Sequence, residues 1–173
     1  NTSTTKTEGS RNHLFANLDF NFGEEEDYES SLSFKVQKTS NDTYFRIHDI
    51  NTELVNPENT TLENLIKYSF SKADMYMNVE ARVFENLREK KKSDRYEYAL
   101  PNIMYGKTFF SEKFGTLDFK SNALYNEYET NKTKTFLTND IIWNPLNYIT
   151  KKGFVNSIQG MLRNTNYEAK NTG

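Results

Sequence analysis

Residues 66–83 read IKYSFSKADMYMNVEARV. Ile66, Tyr68 and Phe70 alternate with Lys67 and Ser69, and after residues 71–74 the alternation resumes as Met75, Met77, Val79, Ala81 and Val83 against Asn78, Glu80 and Arg82. Period two sends successive side chains to opposite sides of an extended chain, so each half is a strand with one apolar and one polar face. Folding the halves together through residues 71–74 sets Phe70 opposite Met75, Tyr68 opposite Met77 and Ile66 opposite Val79, with every apolar residue on one side. An antiparallel hairpin is the expectation.

The same signal extends outward. Leu14, Ala16, Leu18, Phe20 and Phe22 alternate with His13, Asn17, Asp19 and Asn21, and only Phe15 breaks the phase. Beyond the acidic GEEEDYES stretch, Leu32, Phe34 and Val36 alternate with Ser33, Lys35 and Gln37, which completes a second hairpin. Leu117, Phe119, Ala123 and Tyr125 alternate with Asp118, Lys120 and Asn122, and Leu137, Ile141 and Trp143 with Thr138 and Asp140. Residues 154–166 read as a last, weaker strand. No helical period of comparable quality occurs, and 13 Phe and 11 Tyr against 3 Pro and 7 Gly fit a strand-rich fold. The chain is therefore expected to be all-β, an antiparallel meander of long strands with nearest-neighbour hairpins, in one domain spanning residues 1–173. Residues 1–10 and 167–173 are expected to be irregular.

Composition removes several functions. The absence of Cys excludes disulfides, thiolate metal sites and a cysteine nucleophile. A formal net charge of −2 gives no basic footprint for nucleic acid. Nucleophile elbow, phosphate loop and acid/base pair are all missing, so neither an enzyme nor a cofactor is predicted.

Strand length then divides two architectures. Soluble antiparallel strands run about 5 to 6 residues. The alternation at 12–22, 75–87 and 116–126 lasts longer, close to the roughly 10-residue alternating segments of an outer-membrane β-barrel. Connections also differ: SKAD is short, whereas NTELVNPENTT and REKKKSDRYE are long and polar, like the turns and outer loops of such barrels. Tyr44, Tyr76, Tyr98, Tyr105, Tyr125 and Trp143 lie where interfacial girdles would form. A soluble β-sandwich presenting Tyr125 and Trp143 to a carbohydrate or a protein is the alternative, because its strands alternate too. Under the barrel reading, Leu18, Phe20, Phe34, Val36, Tyr68, Phe70, Met77, Val79, Leu117 and Phe119 face lipid. Asp42, Arg46, Asp49, Lys67, Asn78, Glu80, Arg82, Asp118, Lys120 and Asp140 face the lumen.

Three motifs carry a family resemblance. Ser40, Asp42, Thr43, Tyr44 and Arg46 match a segment S-D-D-T-Y-(aromatic or Leu)-R; Leu100, Pro101, Ile103 and Tyr105 match a strand start L-P-x-I-x-Y; Gly115, Leu117 and Phe119 match G-x-L-x-F. In this order they resemble the barrel portion of the LptD (OstA) family of lipopolysaccharide-assembly proteins, over most of residues 11–166. The resemblance implies location in the bacterial outer membrane and a part in carrying lipopolysaccharide to its outer leaflet. Its implied partners are lipopolysaccharide, outer-membrane lipid and an LptE-like lipoprotein plug inside the barrel. No periplasmic jelly-roll precedes the matched stretch and no closing aromatic strand follows it. About eight strands are visible, so an internal part of a larger barrel, without the family's gate or disulfides, is expected.

The most polar stretch, SNDTYFRIHD at residues 40–49, is read against that frame of strands. A catalytic role for Ser40, His48 and Asp49 lacks a glycine elbow, and a metal loop of Asp42, His48 and Asp49 lacks the spacing of a calcium hand. A structured polar turn capped by Asn41 or Asp42 requires no function at all. A lumen-facing strand or inward loop, with Arg46 and Asp49 paired or touching a plug or a lipid phosphate, is the functional counterpart. The GEEEDYES and EKKK runs are read as solvated loops that could hold divalent cations or phosphates.

Overall fold

The computed structural model describes residues 12–23, 27–40, 60–129 and 131–171, the side chain of residue 93 excepted. The strands are β1 (His13–Phe22), β2 (Tyr28–Thr39), β3 (Thr61–Lys72), β4 (Met75–Asn86), β5 (Tyr96–Ser111), β6 (Gly115–Tyr128), β7 (Lys132–Asn144), β8 (Tyr148–Ile149), β9 (Val155–Asn156) and β10 (Gly160–Lys170). A single helical turn, α1 (Lys92–Arg95), leads into β5. Eight strands form one sheet in the order β1-β2-β3-β4-β5-β6-β7-β10, every neighbouring pair antiparallel. β1 and β10 stand at opposite edges, so the sheet is open. The expected irregular residues 1–10 lie outside the described residues.

The β3–β4 hairpin is tighter than its sequence suggests. Lys72 pairs with Met75 and leaves only Ala73 and Asp74 in the turn, so Phe70 meets Met77, Tyr68 meets Val79 and Ile66 meets Ala81. Two-residue connections match the twist of antiparallel strands better than four-residue ones. The register differs by two from the sequence expectation, and a slip of two preserves both faces.

Two further departures concern the end of the chain. Residues 154–166 do not form one strand: after β7 the chain leaves the sheet as the small β8–β9 pair and rejoins it at Gly160. Gly153, at φ 85°, makes that local turn, with its N–H donating to Thr150 O at 2.9 Å and the Phe154 N–H donating to Thr150 Oγ1 at 3.1 Å. The meander therefore skips one hairpin. Residues 167–170, expected to be irregular, belong to β10, with Tyr167 paired to Phe136 and Lys170 to Thr133.

β5 shows why its alternation is hard to read. Leu100 and Pro101 form a bulge: Glu80 pairs with Asn102 and Arg82 with Ala99, leaving both residues opposite Ala81. Proline has no N–H for a ladder, so an interior strand accommodates it by a bulge. The extra residue reverses the phase, which returns Tyr98 and Ile103 to the same face despite their odd spacing. The L-P motif lies inside this strand, not at its start.

The registers make one continuous apolar row. Phe20, Leu32, Tyr68, Val79, Ile103, Ala123 and Leu137 are successive cross-strand partners from β1 to β7, and the row ends at Asn166 of β10. Among the described residues the buried apolar cluster is only Leu62 and Leu87, with Phe15 packed against it. That contact explains the one residue that breaks the alternation of β1.

On the opposite face Tyr76 lays its ring over Gly106, its partner across β4 and β5, where an added Cβ would overlap the ring. Gly106→Ala is expected to lower stability by about 1–3 kcal/mol through overpacking. A second change, Tyr76→Ala, is expected to remove most of that penalty in a double-mutant cycle followed by urea unfolding. Additive losses would mean that the ring does not occupy the glycine's space.

Candidate functional site: the polar face of the sheet

All seven of the described lumen candidates share one face. Lys67 pairs with Glu80, Asn78 with Met104, Arg82 with Ala99, Lys120 with Asp140, and Asp118 with Thr108, which fixes their common side by ladder parity. The ten lipid candidates, Leu18, Phe20, Phe34, Val36, Tyr68, Phe70, Met77, Val79, Leu117 and Phe119, all fall on the other face. Asp42, Arg46 and Asp49 lie outside the described residues, as do Tyr44, His48 and Glu24 to Glu26.

An ion-pair chain crosses β2, β3, β4 and β5. Lys35 Nζ is 2.6 Å from Glu63 Oε2, Arg82 Nη1 is 3.2 Å from Glu63 Oε1, and Arg82 Nη2 is 3.0 Å from Glu80 Oε2. Asn102 Nδ2 donates to Glu80 Oε1 at 2.7 Å and extends the chain to β5. One carboxylate thus serves two cations, and the next is shared between a guanidinium and an amide. Charge-assisted hydrogen bonds of this kind hold long side chains in defined positions.

The β2–β3 ladder ends at Lys35 opposite Leu65, and beyond it side chains continue the pairing. The Glu63 N–H donates to Gln37 Oε1 at 2.8 Å, and the Gln37 N–H to Asn64 Oδ1 at 2.9 Å. These bonds satisfy backbone donors that the ladder leaves behind.

A second network lies on β5 to β10. Thr108 Oγ1 donates to Asp118 Oδ1 at 2.6 Å, and Asn144 Nδ2 lies 3.4 Å from Asp118 Oδ2. Arg163 clamps Asp140 in bidentate fashion, Nε and Nη2 at 2.7 and 2.8 Å. Lys120 stands opposite Asp140 in the register. Between the networks runs a neutral row, Asn21, Ser31, Ser69 and Asn78, continued by Asn122, Thr138 and Thr165 past Met104. Asn21, Glu29, Ser31, Ser69, Tyr76 and Asn78 border a cavity of about 470 Å³ at the short-turn end of this row.

The face is not uniformly polar. Leu124, Phe136 and Tyr167 follow one another across β6, β7 and β10 on the same side as Glu80 and Asn102. Of the charged partners, Glu63 and Arg163 were not singled out by their sequence neighbourhoods. Glu63 precedes the clear alternation of β3, and Arg163 acquires its role only through the β7–β10 register.

Apolar side chains stand exposed on parts of the apolar face, whose central residues Leu32, Tyr68, Val79, Ile103 and Leu137 are half-buried, and paired carboxylates are half-buried on the polar face. On the apolar side Leu18 and Ile66 are each 53% exposed and Phe20 46%. On the polar side the Glu80 and Glu63 side chains are only 15% and 22% exposed. No other element covers the apolar face among the described residues, where nothing but β8 and β9 stands outside the main sheet and α1. Nor do three His, Asp or Glu side chains converge among these residues into a metal-sized cluster.

No match emerges from comparison with protein-family models, curated proteins or solved structures. The geometry of the two faces therefore carries the functional argument.

Glu63→Ala is expected to cost about 1–3 kcal/mol, because it strips partners from Lys35 and Arg82 on a crowded face. Arg163→Ala, at an exposed edge pair, should cost less. Urea midpoints of the two variants test the order, and an equal or reversed order would show that the chain through Glu63 is not a structural network.

Proposed function

We propose that the chain is a wall segment of an outer-membrane β-barrel of the LptD type, which conducts lipopolysaccharide toward the outer leaflet. The observation that carries this reading is the sorting of the sheet: apolar Leu18, Phe20, Ile66, Leu117 and Ile141 stand exposed on one face with no second layer over them among the described residues, while Lys35, Glu63, Arg82 and Glu80 are crowded and internally paired on the other. In water such a surface is a large exposed patch that calls for a cover. In a bilayer it is the wall that lipid chains solvate, and the polar face borders the aqueous lumen. The unjoined edges β1 and β10 fit a segment whose neighbouring strands complete the barrel.

The polar face suits a sugar-bearing lipid. Its Asn, Ser and Thr row offers hydroxyl and amide groups that exchange hydrogen bonds with glycan hydroxyls without holding them by charge. The apolar stretch Leu124, Phe136 and Tyr167 gives a lipoprotein plug of the LptE kind a place to bury its own apolar residues. The soluble sandwich needs a second sheet over the apolar face, and among the described residues only the two-residue strands β8 and β9 stand outside the main sheet, too small for it.

Photo-crosslinking in cells producing the parent protein tests the function. A benzophenone amino acid at Asn78 or Asn122 is expected to form lipopolysaccharide adducts, and at Val79 to capture phospholipid instead. Adduct-free polar positions beside a lipopolysaccharide-labelled Val79 would contradict the assignment. Recovery of the parent protein from a detergent-free soluble periplasmic fraction would contradict the membrane reading altogether.

A further inference from the structure

At the short-turn end of β5, β6 and β7, Phe109, Phe110, Phe114, Leu117 and Trp143 line an open crevice of about 540 Å³. The crevice is built by specific backbone contacts. Gly115 sits at φ 81°, and its missing Cβ lets Asn144 and Pro145 pack against the turn. Trp143 Nε1 donates to Phe114 O at 2.9 Å and ties that turn to β7. Phe110 is nevertheless 72% exposed and Phe114 61%. Rings at this end fit an interfacial girdle of the barrel reading, and the crevice they form there is large enough for more than ring packing.

Cations rim the rings. Lys107 Nζ lies 5.3 Å from the centroid of Phe109, and Lys113 Nζ lies 5.5 Å from that of Phe114. Asp74 is 4.0 Å from Lys107 Nζ, so Lys113 carries the less balanced charge. The chain leaving Trp143 adds exposed Tyr148, Ile149, Phe154 and Val155, with Lys151 and Lys152 between the short strands. Residues 107–117 and 145–159 together hold four lysines and one acid, Glu112, and with Asp74 beside Lys107 the local excess is two positive charges. Lysines whose stems follow aromatic surface while their ammonium groups point to water occur where a hydrocarbon layer meets anionic headgroups.

We infer that this crevice binds an anionic phospholipid of the inner leaflet, with an acyl chain against Phe109, Phe114 and Trp143 and the phosphate at Lys113 and Lys107. The inference rests on the barrel reading, which brings a bilayer to this surface. Three of the four connections at this end, residues 23–27, 73–74 and 112–114, are short, as periplasmic turns are, and this assigns the inner leaflet. A site of this size with apolar walls and few polar groups falls within the range of small-ligand pockets.

Trp143 is the sole tryptophan of this chain and lines the crevice, so its emission reports occupancy directly. The parent protein, with any tryptophan other than Trp143 replaced by phenylalanine, is refolded into phosphatidylcholine vesicles containing a minor fraction of chain-brominated lipid, either phosphatidylglycerol or phosphatidylcholine. Brominated phosphatidylglycerol is expected to quench Trp143 as if enriched roughly fivefold, the factor that one lysine near an anionic surface supplies. Lys107→Gln/Lys113→Gln should bring the two lipids to parity. Equal quenching in the protein that keeps both lysines, or a preference kept by the double variant, overturns the site while leaving the barrel intact. Quenching by neither lipid shows that the chain is outside the bilayer and overturns both.

Discussion

Backbone hydrogen bonding within one antiparallel ladder is the constraint on which the rest of this structure depends. Among the described residues the only large apolar side chains that are buried are Leu62 and Leu87, so no close-packed core holds the strands in place. Seven successive pairings do so instead, from β1 through β7 to β10. Such a ladder contributes modestly in water, where the unfolded chain is hydrogen-bonded to solvent. In hydrocarbon it becomes obligatory, because no other partner exists for each N–H and C=O. A sheet that relies on its ladder rather than on a core is thus suited to a membrane wall.

The ladder also sorts chemistry. Because side chains alternate along each strand, the registers of the successive pairs together send Phe20, Tyr68, Val79 and Leu137 to one side. The bulge at Leu100 and Pro101 is needed for this sorting to survive β5. The opposite side then collects Lys35, Glu63, Arg82, Glu80 and Asn102 close enough to form a chain of charge-assisted bonds. That network confers position more than net stability, since paired charges lose solvation as they gain contacts.

Strands and faces were largely legible in the alternation of residues 12–22, 66–83, 117–125 and 137–143, because period two is a local property. Features that depend on distant pairing were not. Glu63 meets Lys35 only through a register set across residues 40–60, and Arg163 meets Asp140 only because β10 skips the β8–β9 pair. The phase reversal at Leu100 and Pro101 hid β5, and the turn at Gly153 divided what reads as one strand. Phe15, which looks like an error in the pattern, is instead the contact of β1 with Leu62 and Leu87. The charged partners of the polar face were legible as residue types and illegible as pairs.

The central claim is that the apolar face meets lipid and the polar face meets water. A single-cysteine scan along β4, Met75–Asn86, in the parent protein with any cysteines outside this chain replaced by serine, reconstituted into vesicles, tests it directly. Labelling should alternate: Met75, Met77, Val79, Ala81 and Val83 positions react with a membrane-dissolved maleimide, and Tyr76, Asn78, Glu80 and Arg82 positions with a water-soluble one. Protection of the Met75 to Val83 set from both reagents would place that face in a packed protein interior and contradict the account.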